Sequence, residues 1–220
     1  AWRDEHSLYV GTDFGPGSLT KSGYPRAVKI WIRGAPLTEA ATLHTAAAGS
    51  VSATARRVRA KEGDIDLVSE GLTFWTQKNY QVLGSELVPL NLPPTARIVG
   101  GFRGRLVIRL KEEWTIGAAT YPSGAVLLAE VGALRGQAGR IELVVASTAR
   151  SVIKAVVPTP AGILVTTLAD VRGRLDRFTP AEKGATGWTR TAVTLPDNGA
   201  IEIKTTDEDS GDAVVGFQSF

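Results

Sequence analysis

Cysteine and methionine are both missing from these 220 residues. Without cysteine there is no disulfide, no thiolate nucleophile and no zinc–thiolate centre. That absence does not separate cytoplasm from periplasm, since both hold cysteine-free proteins. A chain without methionine even at position 1 is expected to be an excised or processed segment. Histidine is scarce, with only His6 and His44, so general-base chemistry has few candidates. No apolar run approaches the ~20 residues that a membrane-spanning helix needs. The opening AWRDEHSLYV also lacks the basic-then-apolar pattern of a secretion signal. A soluble chain is expected, with its compartment open.

What is present suits a substantial core. Hydrophobic residues make up 43% of the chain, and the net charge is a mild +3 with a pI near 9.3. The densest basic run, ARRVRAKEGD, carries Arg56, Arg57, Arg59 and Lys61. Nucleic-acid recognition calls for cations interleaved with aromatics, and this run has none. A charged strand edge or turn is the simpler reading.

The chain reads as strands almost throughout, so the fold class is all-β. RAVKIWIRG (26–34) alternates Val28, Ile30 and Ile32 with Lys29, Trp31 and Arg33, the period-2 pattern of a half-buried strand. The runs 105–110, 125–131, 141–147, 162–171 and 213–220 are short, apolar and bounded by turn residues. Two segments carry helical propensity, LTEAATLHTAAA (37–48) and TPAEKG (179–184). The first has a poor apolar stripe, and Thr42, Leu43 and His44 equally suit an outer strand.

A loose repeat of roughly 50 residues is visible, the period of four-stranded propeller blades. SVSATARRV, TARIVGG and TARSVIKAV open successive units. The chain is therefore expected to be a single domain, residues 1–220, forming a partial or small β-propeller. It divides into a partial blade at 1–48, blades at about 49–94, 95–147 and 148–197, and a partial blade at 198–220. Each blade has an apolar face that its neighbours must cover. An arc that starts and stops within blades is expected to close on itself or to self-associate through its edge strands.

No catalytic constellation emerges from the motifs. Asp13-Phe14-Gly15 matches a kinase DFG, but the Gly-rich loop, strand lysine and catalytic loop that must precede it cannot fit in twelve residues. The surrounding GTDFGPGSLTKSGYPR (11–26) is glycine-rich yet has no GK pair for a phosphate loop. It reads as a connection between two strands. No G-x-S-x-G elbow occurs, and His6 and His44 read as surface or edge residues. Ser18…Lys21 and Ser151…Lys154 both match S-x-x-K, with neither S-D-N nor K-T-G downstream. Asp207, Asp209 and Asp212 in TDEDSGDA lie close together, but the glycine and glutamate of a calcium loop are not at their positions. They read as an acidic turn. No catalytic, cofactor-binding or metal-binding residue is therefore assigned, and no cofactor is expected.

The run LYVGTDFGPGSLTKSGYPRAVKIWIRGAPLTEA resembles a segment of the N-terminal β-propeller of bacterial prolyl oligopeptidase-family serine peptidases. The resemblance continues through GDIDLVSEGLTFWTQKNYQVL and LVIRLKEEWTIGAATYPSGAVLL, where Trp114-Thr115 and Tyr121-Pro122-Ser123-Gly124 carry it, and reaches VVGFQSF. It implies a propeller that caps an α/β-hydrolase domain and admits short peptides to the cavity between them. The Ser, Asp and His triad of that family lies in the hydrolase domain, so none is carried onto this chain. The expected partners are that hydrolase domain and short peptide substrates, with no nucleic acid and no membrane. A free-standing propeller-like module that binds proteins through its loops, Gly11–Arg26 included, is the alternative.

Overall fold

Short β-branched runs separated by turn residues satisfy their backbone groups most economically as antiparallel meanders, because each hairpin pairs neighbours in sequence. The computed structural model has this construction; it describes residues 1–170, 172–182, 187–196 and 198–219. The chain groups into two compact units. The first comprises Ala1–Arg59, Asp64–Thr95 and Leu134–Gly136; the second comprises Ala60–Gly63, Ala96–Ala133 and Gln137–Phe220.

The first unit holds two sheets. Strands β1 (Ser7–Val10), β2 (Ala27–Ile32) and β3 (Ala41–Thr45) form a three-stranded sheet in that order. Strands β4 (Ser52–Val58), β5 (Ile65–Gly71), β6 (Gln77–Leu83) and β7 (Glu86–Pro89) form a four-stranded meander. Tyr9 and Val28 pack with Ala46 and Ala53, and Ile30, Leu43 and Ala55 flank them. The two alanines let the sheets approach closely, and the Ala53 N–H donates to the Pro25 carbonyl at 2.8 Å. Burial along β2 does not alternate as the sequence predicts: Ala27 and Val28 are buried, Lys29, Ile30 and Trp31 are half-buried, and Ile32 at its end is 55% exposed.

The second unit holds the larger core. Strands β8 (Arg97–Phe102), β9 (Arg105–Arg109), β12 (Val126–Ala129) and β13 (Ile141–Val145) form one four-stranded sheet. A short hairpin, β10 (Trp114–Ile116) with β11 (Ala119–Tyr121), is inserted between β9 and β12. Strands β14 (Ser151–Thr159), β15 (Gly162–Ala169), β16 (Arg172–Pro180) and β17 (Trp188–Ala192) form the next meander. Strands β18 (Gly199–Thr206) and β19 (Ala213–Ser219) make a two-stranded sheet.

Central strands lose the alternating pattern because both faces are covered. Leu106, Val107 and Ile108 in β9 and all four residues of β12 are fully buried. Val107, Val126 and Leu128 meet Ile153, Ile163, Val165 and Phe178 from the adjacent meander. Each such side chain contributes about 1.5–3 kcal/mol of hydrophobic stabilisation. The two meanders are also tied by Arg109. A register shift in β14 between Ile153 and Ala155 frees carbonyls there, and the Arg109 guanidinium donates to those of Ile153 and Lys154. The β8–β9 hairpin turns through Arg103 and Gly104, both at positive φ (49° and 65°). This is the left-handed pair that a two-residue turn between twisted strands requires.

The helical alternative for 37–48 is not adopted. A single 3-10 turn spans Leu37–Glu39, and β3 follows it as an outer strand. Without an apolar stripe, an isolated helix has nothing to bury, whereas a strand gains hydrogen bonds from β2. Of 179–184, Thr179 and Pro180 close β16, and Lys183 and Gly184 lie outside the described residues. The one α-helical turn among the described residues, α1 (Val131–Leu134), falls in EVGALRG. Nothing in the sequence pattern marks it.

Candidate functional site

The glycine-rich loop 11–26 closes on itself. Asp13 Oδ1 accepts from the Gly15 N–H at 2.8 Å and lies 2.9 Å from Ser18 Oγ. Ser18 Oγ in turn accepts from the Phe14 N–H at 2.8 Å. These bonds hold the Asp13 carboxyl below its ordinary range, the Gly15 N–H being the main cause. Lys29 sits 4.4 Å above the Phe14 ring, and Arg26 Nε donates to the Ala46 carbonyl at 2.8 Å. Two of the loop's N–H groups thus point at its own side chains, where a phosphate cradle presents them to a ligand. Ser18→Ala removes the shared centre of this network and is expected to destabilise by about 1–2 kcal/mol. Faster amide exchange at Phe14 in that variant is the accompanying local sign.

A second polar centre joins the two sheets of the first unit. Glu70 on β5 is 6% exposed. Its Oε1 accepts from the Ala47 N–H at 3.0 Å and from the Ser50 hydroxyl, and its Oε2 lies 3.1 Å from His44 Nε2. Burial pushes the Glu70 carboxyl up, but the bonds from Ser50, Ala47 and His44 together outweigh it and hold it below the usual range. The His44 ring lies 5.6 Å from that of Tyr80, whose phenol is pushed up by burial and by the Glu70 charge. Serine, histidine and glutamate therefore converge, but in the wrong order for nucleophilic catalysis. A triad needs the serine hydroxyl on the imidazole, and here the carboxylate takes it directly. The centre ties β3 and the turn after it to β5. His44 is on an edge strand, as its sequence context suggests, yet its side chain is largely buried.

The basic run divides among different settings. Arg57 makes a two-pronged bond to Asp66, Nε to Oδ1 and Nη2 to Oδ2, each at 2.8 Å. Its Nη1 lies 3.5 Å from Asp64. The Asp66 bond is the main cause that holds this guanidinium protonated far beyond neutral pH. Tyr9 lies buried beside it, and burial followed by the Asp66 charge pushes its phenol up. Arg59, beyond the end of β4, joins Arg57, Trp2, Arg3, Asp4, Glu5, Arg33 and Asp64 around an open depression of about 470 Å³.

The remaining motifs resolve as local structure. Ser151 Oγ pairs with Thr148 Oγ1 at 2.7 Å, and the Ser18 hydroxyl is held by Asp13 and Gly15. Neither S-x-x-K serine is bonded to its lysine. In the β18–β19 turn, Asp207 Oδ1 accepts from the Asp209 and Ser210 N–H groups at 2.9 and 2.6 Å. Those bonds, Ser210's first, lower the Asp207 carboxyl. Ser210 Oγ donates to Asp212 at 2.9 Å. Among the described residues no cluster of three or more His, Asp or Glu side chains has metal-binding geometry. No helix among them is long and apolar enough to cross a membrane.

Reasoning from sequence missed Glu70, whose partners lie 20 to 26 residues away. No local motif links them. Asp66 was equally invisible, although its place opposite Arg57 in the β4–β5 register is a pairing that alternate charges on adjacent strands can suggest.

The fold has relatives among peptidases. The chain is 26% identical over 228 residues to an uncharacterised peptidase of Sinorhizobium fredii, covering all of this chain and 31% of that protein. Among solved structures, a post-proline cleaving enzyme from Rickettsia typhi matches 99% of the chain with a TM-score of 0.87 at 18% identity. A prolyl endopeptidase matches 98% with a TM-score of 0.66 at 15% identity. The chain spans about a third of the length of these proteins, 32% of each solved one. No protein-family model matches it. Its all-β fold is that of the propeller domain of the prolyl endopeptidases.

Proposed function

We propose that this chain is the propeller portion of a prolyl oligopeptidase-like serine peptidase, and that it controls the access of short peptides to a hydrolase domain elsewhere in the polypeptide. The observation that carries the reading is the full-length correspondence to about one third of one peptidase in sequence and of others in fold. The polar centres support it from the other side. Asp13, Glu70, Asp66 and Asp207 are each engaged in holding loops and sheets, which suits a scaffold whose chemistry is performed by a partner domain. The functional partners on this reading are the hydrolase domain and peptides small enough to pass.

The test is an assay of the intact polypeptide that carries this chain, using a short proline-containing peptide and a folded protein with an exposed proline. Cleavage after proline in the peptide, blocked by a serine-directed inhibitor and at least tenfold slower in the folded protein, is the expected result. Equal rates on the two substrates overturn the gating role. Cleavage by residues 1–220 alone overturns the assignment of the chemistry to another domain.

A further inference from the structure

The open depression in the first unit carries features that the peptidase reading does not use. Its acids are already engaged: Asp4 accepts from the His6 N–H and the Ser7 hydroxyl at 2.9 and 2.8 Å, and Glu5 lies 3.3 Å from His6. Asp64 lies 3.5 Å from Arg57. Arg57 is locked on Asp66. Arg33 and Arg59, both exposed, have no hydrogen bond or ion pair to their side chains among the described residues. Arg3 Nε is shielded from solvent and donates to no acceptor, with Asp66 Oδ2 at 3.9 Å. Trp2, half exposed, adds a flat apolar face.

From this arrangement we infer a recognition site for a carboxylate-bearing peptide side chain, held by the guanidinium groups of Arg33 and Arg59 against the face of Trp2. Two planar donors beside an aromatic face suit a carboxylate on a short aliphatic stem. The three engaged acids around the depression select against a denser anion. A phosphate carries nearly two charges and a nucleic acid repeats them, so each is repelled by these acids more strongly than a single carboxylate is. A volume of about 470 Å³ admits one or two side chains rather than a folded surface. The backbone places the pair firmly: the Arg33 N–H donates to the His6 carbonyl at 2.8 Å, and Arg59 follows the last β4–β5 pair, Val58 with Ile65.

Calorimetric titration of the full chain with acetyl-Ala-Glu-Ala-amide, and with its glutamine isostere, tests the inference. The glutamate peptide is expected to bind about tenfold more tightly at low ionic strength, and to weaken as salt is added. Arg33→Gln with Arg59→Gln is expected to abolish that preference while the circular dichroism spectrum stays unchanged. Arg33→Lys with Arg59→Lys, which keeps the charge without the planar fork, is expected to retain part of it. Equal affinity for the two peptides, undiminished binding by the double glutamine variant, no binding at millimolar peptide, or tighter binding of inorganic phosphate each overturns the site. None of these outcomes depends on peptidase activity, so the inference fails or stands apart from the proposed function.

Discussion

Replacing Glu70 by alanine is expected to cost about 3 kcal/mol of stability. The carboxylate is buried at the junction of two sheets, with the Ala47 N–H, the Ser50 hydroxyl and His44 directed at it. Alanine leaves all three without their acceptor in a region that water does not reach freely. Glu70→Gln keeps the shape but only one acceptor oxygen, so it is expected to lose about half as much. His44→Ala removes one of the three contacts and leaves the other two in place, and is expected to cost about 1 kcal/mol. Urea unfolding of the three variants checks this order. A Glu70→Ala loss below that of His44→Ala would remove the junction role.

The pH dependence follows from the same geometry. The Glu70 carboxyl sits below its ordinary range in the fold, so the folded state binds its proton less readily than the unfolded chain. Its contribution is therefore complete above the unfolded carboxylate value, near 4.3. It is lost as pH falls through the lower folded value. Between about pH 5 and pH 3 the native protein is expected to lose stability more steeply than Glu70→Gln, which has nothing to titrate there. Parallel slopes in that window would assign the acid sensitivity to other carboxylates.

Phe102→Ala is expected to have the larger effect, about 3–5 kcal/mol, or a fall of roughly 10 °C or more in Tm. Phe102 is 3% exposed and belongs to the core shared by the two four-stranded sheets of the second unit. Its ring lies 5.9 Å from that of Trp188 at an interplanar angle of 47°, a tilted arrangement favourable to aromatic pairs. The backbone there is held by the Arg103–Gly104 turn on one side and by the β8–β9 pairing on the other. Neither sheet can readily collapse into the void, so the cavity cost adds to the lost burial. Phe102→Leu fills most of the space and is expected to lose less than half as much. A loss under 1 kcal/mol for the alanine variant would mean that the two sheets repack freely.

Much of this molecule is legible one strand at a time. RAVKIWIRG alternates, and RLVIRL and AVLLAEV are continuously apolar; each becomes a strand, the latter two buried as their pattern implies, while β2 is buried at Ala27 and Val28 and opens to solvent toward Ile32. The loop 11–26 is also legible as a connection between two strands, and its Asp13 bonds to Gly15 and Ser18 stay within it. The 37–48 segment was ambiguous because its propensity favoured a helix while its pattern favoured no buried face. Pairing with β2 decided it.

Charge clustering was the less reliable guide. Arg56, Arg57, Arg59 and Lys61 look alike in sequence, yet Arg57 is bound to Asp66 while Arg59 has no such partner among the described residues. Arg57 lies within β4 directly opposite Asp66 on β5, whereas Arg59 lies past the last β4–β5 pair and has no residue across from it. His44 and Glu70 make the same point: an edge histidine and a strand glutamate become one centre only when the first sheet packs on the second.

The sequence by itself determined the all-β class, the positions of most strands and the absence of recognised catalytic motifs, because each depends on periodicity or on residues close together in the chain. Only the tertiary structure decided which polar groups meet, Glu70 with Ser50 and His44 and Asp66 with Arg57, and that Arg33 and Arg59 line one depression. A strand's pattern tells which side is buried, but the register and packing of separate sheets determine what lies on the other side, and those are set by the whole core at once.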